Sequence, residues 1–257
     1  MEKINDILGY KNLKIYQDSQ YFSFSLDSVF LANYSTIRLK DKNIVDFCTG
    51  NAVIPLILSK RCNRIIDAVE IQNNVFALAK KSVEYNNLGN RINLYNMNVI
   101  DFSNVNDNIN KYDLVLCNPP FFKNIESSIK NISYEKAVAR HEILINLDQV
   151  CYCANKVLKE KGNFCIVHRT ERLLDIFDSF RKYNIEPKRV KFIYESIDKQ
   201  SSIVLIEGQK CGNPGLFIDR PLVMYNSDGS ISDEYKRMQE EVIRWFNVAL
   251  IIVRVYI

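Results

Sequence analysis

Between residues 43 and 117 the chain repeats one unit: a short apolar run of strand length, then a segment with helical spacing. Asn43-Ile44-Val45-Asp46-Phe47 runs into the turn Thr49-Gly50-Asn51 and then into Val53-Ile54-Pro55-Leu56-Ile57-Leu58. Pro55 is tolerated in that helix because the first turn needs no backbone N–H from it. Arg64 to Val69 forms the next strand and ends at Glu70, after which Val75, Leu78, Ala79 and Val83 mark one helix face. Arg91 to Tyr95 and Tyr112 to Cys117 are two further strands. Past a polar stretch near 123–135, helical spacing returns through Leu158. Strand Phe164 to Val167, helix Leu173 to Tyr183, and strands Phe192 to Tyr194 and Ser202 to Ile206 follow. Upstream, Ser25 stands at the N-cap of a helix carrying Leu26, Val29 and Phe30.

Strands alternating with helices predict an α/β fold, with a mostly parallel sheet covered on both faces. Such sheets take ligands beyond the carboxyl ends of their strands. The candidate residues are therefore Asp46 to Ala52, Glu70, Asn98 to Asp101 and Asn118 to Phe122.

The 257 residues suit one large domain, and a net charge of +4 permits a nucleic-acid partner without demanding one. Seven cysteines lie scattered with no C-x-x-C pair, and the chain has two histidines, so neither a disulfide framework nor a zinc site is expected. The cysteines read as small buried hydrophobes of a reducing cytoplasm. The N-terminus lacks the apolar core of a secretory signal. The longest apolar run, Val248 to Val253, stops at Arg254, too short for a membrane span. A cytoplasmic chain with no metal and no membrane partner is expected.

The turn after the first of these strands is a nucleoside cradle in outline. Strand, Gly50 and helix N-terminus follow in order, and Glu70 stands twenty residues beyond Gly50 at the next strand end. A carboxylate there can accept from two ribose hydroxyls. Singly, Gly50 reads as an ordinary turn glycine and Glu70 as a solvated carboxylate; their joint spacing favours the nucleoside site. A dinucleotide fingerprint needs three glycines, but here Cys48 and Ala52 flank Gly50. S-adenosyl-L-methionine, which has no pyrophosphate, relaxes that demand. A G-x-x-x-x-G-K-[ST] phosphate loop is absent.

Asn118-Pro119-Pro120-Phe121 carries the chemistry. The exocyclic amine of adenine is a poor nucleophile because its lone pair is delocalised into the ring. An Asn118 side-chain oxygen and the Pro119 carbonyl can hold both amine hydrogens, so that the nitrogen pyramidalises toward a methyl carbon. No strong base is needed, because the proton can leave after transfer. Alignment of this kind is worth on the order of 7–11 kcal/mol in favourable cases. The prolines fix φ and stiffen the acceptors, and Phe121 offers a stacking face worth roughly 1–3 kcal/mol. A Pro-Pro pair alone is ordinary strand punctuation; its place downstream of Asp46, Gly50 and Glu70 makes the difference.

These residues resemble the bacterial tRNA1(Val) adenine-N6-methyltransferase family. The likeness begins at Phe22 to Ala32 and runs through Asp46 to Asn51 and Asn118 to Phe122. It continues in Ala139-Arg140-His141-Glu142, Val167 to Leu173, Glu186 to Val190 and Val204 to Gly208. The resemblance implies a Rossmann-like class I methyltransferase fold, seven-stranded with the last strand antiparallel. It also implies transfer to N6 of adenine at position 37 of a valine tRNA. It assigns Asp46, Cys48, Thr49, Gly50, Asn51, Glu70 and Asn98 to the cofactor, with Asp27 closing over it, and Asn118, Pro119, Pro120 and Phe121 to catalysis. Phe122, Arg140, His141 and Arg169 would meet the substrate. Ala52 replaces a usual glycine, and Asn98 a frequent Asp whose role its amide oxygen can still fill.

Residues 1–240 read as a single catalytic domain, with 1–40 a helical, cofactor-covering segment and 241–257 a C-terminal extension. Lys182, Lys188, Arg189 and Lys191, with Arg169 and Arg172, make the second half locally basic. They can track tRNA phosphates, although scattered cations more often form a solvated face. The alternatives left open are glutamine N5-methylation of a protein such as a release factor, rRNA or DNA amino-methylation, and a non-catalytic RNA-binding module. The absence of a separate N-terminal substrate domain weighs against the first.

Overall fold

The computed structural model describes residues 1–21, 25–121 and 144–238. Expectations for Phe122, Arg140, His141 and the 241–257 extension fall outside the described residues. The strands are β1 (Glu2–Ile7), β2 (Tyr10–Asp18), β3 (Asn43–Phe47), β4 (Ile65–Glu70), β5 (Ile92–Asn96), β6 (Tyr112–Cys117), β7 (Leu158–Arg169), β8 (Ile185–Ser196), β9 (Ile203–Lys210), β10 (Phe217–Ile218) and β11 (Leu222–Tyr225). The helices are α1 (Leu26–Tyr34), α2 (Val53–Arg61), α3 (Asn73–Tyr85), α4 (Val99–Asn104), α5 (Leu147–Val157) and α6 (Leu173–Lys182).

The main sheet runs β5-β4-β3-β6-β7-β9-β8, with β10 and β11 both on β8. Pairs from β5 to β7 are parallel, whereas β9 is antiparallel to both β7 and β8. The expected seven strands with an antiparallel last member are therefore present, and β10 and β11 extend the edge. The chain moves outward from β3 to β5 and returns to β6 on the other side of β3. That reversal makes β3/β6 the topological switch point where such sheets bind ligands.

The apolar runs divide their side chains between two cores. Ile44, Leu114 and Leu116 face α1, α2 and α3, while Val45, Phe47, Val115 and Cys117 face α4, α5 and α6. A continuous apolar strand is what a sheet buried on both faces requires. Cys117, Cys151, Cys153 and Cys165 are buried as small hydrophobes, but Cys211 is exposed. Among the described residues no helix is long and apolar enough to cross a membrane.

The helical expectation for residues 1–40 is corrected over residues 2–18. Residues 2–18 form an antiparallel hairpin, not a helical segment; helix starts only at Leu26. Leu13 and Ile15 alternate into the core with polar residues between them, and Gly9 turns the chain at φ 79. The hairpin docks on α3, where Tyr16 N–H donates to Ser82 Oγ at 2.9 Å and Lys14 N–H to Asn86 Oδ1 at 3.0 Å. None of residues 2–18 lines the cavity described next, so the hairpin does not cover it.

Candidate active site

The register places the key turns side by side. Phe47 pairs with both Val69 and Cys117, so Cys48, Glu70 and Asn118 leave the sheet together. They open into a cavity of about 620 Å³. From the β3–α2 turn come Cys48, Thr49, Gly50 and Asn51; Glu70 and Asn98 stand on one side. Asn118, Pro119, Pro120 and Phe121 form another wall, and Asp27 and Arg169 complete the ring.

The β3–α2 turn is unusually tight, with Cys48, Gly50 and Ala52 at φ 55, 60 and 70. A Cβ built on Gly50 meets nothing within 4 Å, so the space beside it is open to the cavity. Ala52 is different. Its methyl is fully buried in the core and does not reach the cavity, so the departure from glycine costs backbone strain of order 1 kcal/mol, not ligand space. Asn51 Nδ2 donates to the Tyr16 carbonyl at 3.0 Å, tying the turn to the hairpin.

Glu70 is only 5% exposed, and both of its oxygens are held. Gly50 N–H donates to Oε2 at 2.9 Å and Gln72 N–H to Oε1 at 2.8 Å. Burial raises its pKa against those bonds. Asp46 does not line the cavity. It lies beneath the turn with no exposure and accepts from Thr49 Oγ1 at 2.6 Å, while Oδ1 has no partner among the described residues. Burial pushes its pKa up to about 8, opposed by the Thr49 bond and reinforced by Glu70. The folded protein thus keeps this proton to about pH 8, whereas an unfolded aspartate releases it near 3.8. Stability is fully present below the unfolded value and falls as pH rises through the folded one. Asp46→Asn should flatten that fall, leaving the same-signed part from Glu70. Urea midpoints at pH 5 and pH 8 test this, and equal slopes in variant and wild type would refute it.

Asn98 caps α4, its Oδ1 accepting from Ile100 N–H at 2.8 Å. The oxygen expected to meet an adenine amine is therefore already half engaged, with one lone pair left. Ser25 occupies the N-cap position of α1 but does not cap through its hydroxyl, which donates to Asp27 Oδ2 at 2.9 Å. Burial raises the Asp27 pKa, and the Arg169 charge works against that rise. Arg169 is the only cation among the described lining residues, against Asp27, Glu70 and Glu195. Carboxylates therefore outnumber cations on the described lining.

At the tetrad, Asn118 Nδ2 donates to Ser28 Oγ at 2.7 Å. That bond engages the amide nitrogen, and Oδ1 accepts no hydrogen bond among the described residues. Ser28 was not among the residues singled out from sequence. It sits on α1, ninety positions away, and nothing in its local pattern distinguishes it from a helix serine. Phe121 packs 5.2 Å from His168, centroid to centroid, at 48°. Burial, with the charges of Arg172 and Arg169, pushes the His168 pKa down to about 3, so a neutral ring backs Phe121. Ser28→Ala should lower kcat by up to roughly tenfold, the worth of one hydrogen bond, without changing cofactor affinity. An unchanged kcat would remove the positioning role.

The profile of the methyltransferase small domain matches residues 23–193. The chain belongs to that family. Proteins named tRNA1(Val) (adenine(37)-N6)-methyltransferase are among its relatives. That of Parabacteroides distasonis is 26% identical over 79% of this chain and 83% of its own. That of Flavobacterium psychrophilum is 25% identical over 86% and 95%. The fold is also similar to a predicted O-methyltransferase of Agrobacterium tumefaciens, with TM-score 0.65 at 13% identity, covering 83% of this chain and 95% of that one. Geranyl diphosphate C-methyltransferase of Streptomyces coelicolor, solved with S-adenosyl-L-homocysteine, gives 0.52 at 8%, covering 71% and 76%. At such identities the structural likeness speaks to the fold alone.

Proposed function

We propose that this protein methylates N6 of an adenine in tRNA from S-adenosylmethionine, at position 37 of tRNA1(Val). The observation that carries the reading is the Asn118 amide, held by Ser28 with its oxygen unengaged among the described residues, in one cavity with Gly50 and Glu70. The names of the curated relatives supply the RNA and the position.

The cavity fits that cofactor on three counts: its excess of carboxylates, the open space beside Gly50, and Glu70 pinned at a strand end. Glu70 would take the ribose hydroxyls, Asn98 the adenine edge, and Thr49, Gly50 and Asn51 the remainder, with Cys48 and Asp27 on the walls. The cofactor, when bound, supplies an electrophilic methyl group on a sulfonium. The protein's own residues act on the nucleophile. Asn118 Oδ1 and the Pro119 carbonyl each accept one amine hydrogen, favouring a pyramidal nitrogen, and the prolines keep both acceptors from drifting. Phe121 holds the base plane, and Arg169 faces the nucleotide's anionic backbone.

The test is purified protein, S-adenosylmethionine and a tRNA1(Val) transcript, with nucleosides read by mass spectrometry. N6-methyladenosine is expected, and is expected to vanish when adenine 37 is replaced by guanine. Methyl transfer that ignores this replacement, or none at all, overturns the assignment.

A further inference from the structure

A second hollow, about 1010 Å³, lies alongside the first, and Phe30 and Ile193 line both. It is strongly basic: seven Lys and Arg side chains line it, against the single carboxylate Glu234 among the described residues. Three of the seven are committed to the fold. Arg38 is held by Asp41 at 2.9 Å, Lys191 by Glu234 at 3.2 Å, and Arg61 donates to Ser35 Oγ at 2.9 Å at the end of α1. The other four are Lys60, Arg64, Arg220 and Arg237. None of these four forms an ion pair among the described residues, and Arg64 alone has a bond, to the Leu39 carbonyl at 2.8 Å. They come from the end of α2, the α2–β4 link, the β10–β11 link and helical residues 233–238. Three separate segments, residues 60–64, the β10–β11 link and helical residues 233–238, thus bring these cations to one trough.

Of the basic cluster read from sequence, Lys191 lines the trough and Arg169 the first cavity, and the other four are engaged elsewhere. Lys182 pairs with Asp148 at 2.6 Å, Arg189 with Asp219 at 2.8 Å and Arg172 with Asp175 at 2.6 Å. Lys188 donates to the Asn213 carbonyl at 3.0 Å. Three of those four are ion-paired, whereas among the described residues none of the trough's four is.

We infer that this trough binds the phosphate backbone of the substrate RNA, a few nucleotides from the methylated base. Helix α1 links the two sites: Ser28 near its start faces the tetrad, and Tyr34 at its end lines the trough. The six residue steps from Ser28 to Tyr34 span roughly 9 Å. That distance is about two to three nucleotides of stacked strand, at 3.4 Å each. The two hollows adjoin at Phe30 and Ile193, so a strand entering the cavity at Phe121 can lay its neighbouring phosphates in the trough. The inference rests on an RNA substrate.

The test neutralises Lys60, Arg64, Arg220 and Arg237 together (K60Q, R64Q, R220Q, R237Q), with K60Q/R220Q as a milder second variant. Affinity for a fluorescent tRNA1(Val) transcript is measured across a salt series, and kcat and KM for methyl transfer are measured in parallel. Cofactor affinity reports folding, since none of the four lines the first cavity. Expected are at least tenfold weaker RNA binding, a salt slope shallower by about 3 to 4 from four lost phosphate contacts, and a raised KM with kcat kept. The double variant should lose about half of the slope. Wild-type binding and slope in the fourfold variant would overturn the trough. Wild-type protein that binds the transcript with this salt slope yet transfers no methyl would instead overturn the proposed function and leave the trough standing.

Discussion

Asn118→Ala is expected to cut methyl transfer by about 100- to 1000-fold, the range found when one preorganised hydrogen-bonding group is removed from a reacting centre. The change deletes the Oδ1 acceptor and also frees Ser28. The prolines, Phe121 and the Glu70 side of the cavity are untouched, so cofactor affinity should stay within about threefold by calorimetry. The loss should appear in kcat, because the acceptor matters most as the amine pyramidalises. Asn118→Asp separates two effects: it keeps an oxygen but removes the donor to Ser28 and adds charge. An Asn118→Ala enzyme with near-normal kcat would refute the assignment.

Glu70→Ala should weaken cofactor binding by at least about 100-fold, as two hydrogen bonds to a charged acceptor of roughly 1.5–3 kcal/mol each are lost. Two backbone donors, at Gly50 and Gln72, lose their acceptor at the same time, so the turn should loosen and the protein lose about 1–3 kcal/mol of stability. Glu70→Gln keeps one acceptor and should fall between. At saturating cofactor, kcat should recover toward wild type, unlike the Asn118 variant. Cofactor titration by calorimetry and denaturant midpoints measure both losses; unchanged affinity would remove Glu70 from the site.

Much of this arrangement is local in origin. Asn43 to Phe47, Arg64 to Val69 and Tyr112 to Cys117 announce themselves as strands because a doubly covered sheet needs unbroken apolar runs. Gly50 is read as a turn because its neighbours end a strand and begin a helix. Once the strands are parallel, the residues after their carboxyl ends must share one edge. Glu70 and Asn118 were therefore placed together by order alone, and the register bears out that placement.

Other features depend on which distant segments meet. The hairpin at residues 2–18 buries Ile7, Tyr10, Leu13 and Ile15, of which Leu13 and Ile15 alone stand at strand spacing, too short a pattern to announce a strand. The sequence by itself determined the alternating fold, the switch point and the residue types at the reacting edge. Only the tertiary structure decided that Ser28 orients Asn118, that Asp46 sits under the turn and not in the cavity, and that Lys60, Arg64, Arg220 and Arg237 share one trough. The physical reason is range. Periodicity and turn chemistry act over a few residues, whereas a hydrogen bond across ninety positions, a buried carboxylate's neighbours and a convergence of cations exist only after the sheet has brought its segments together.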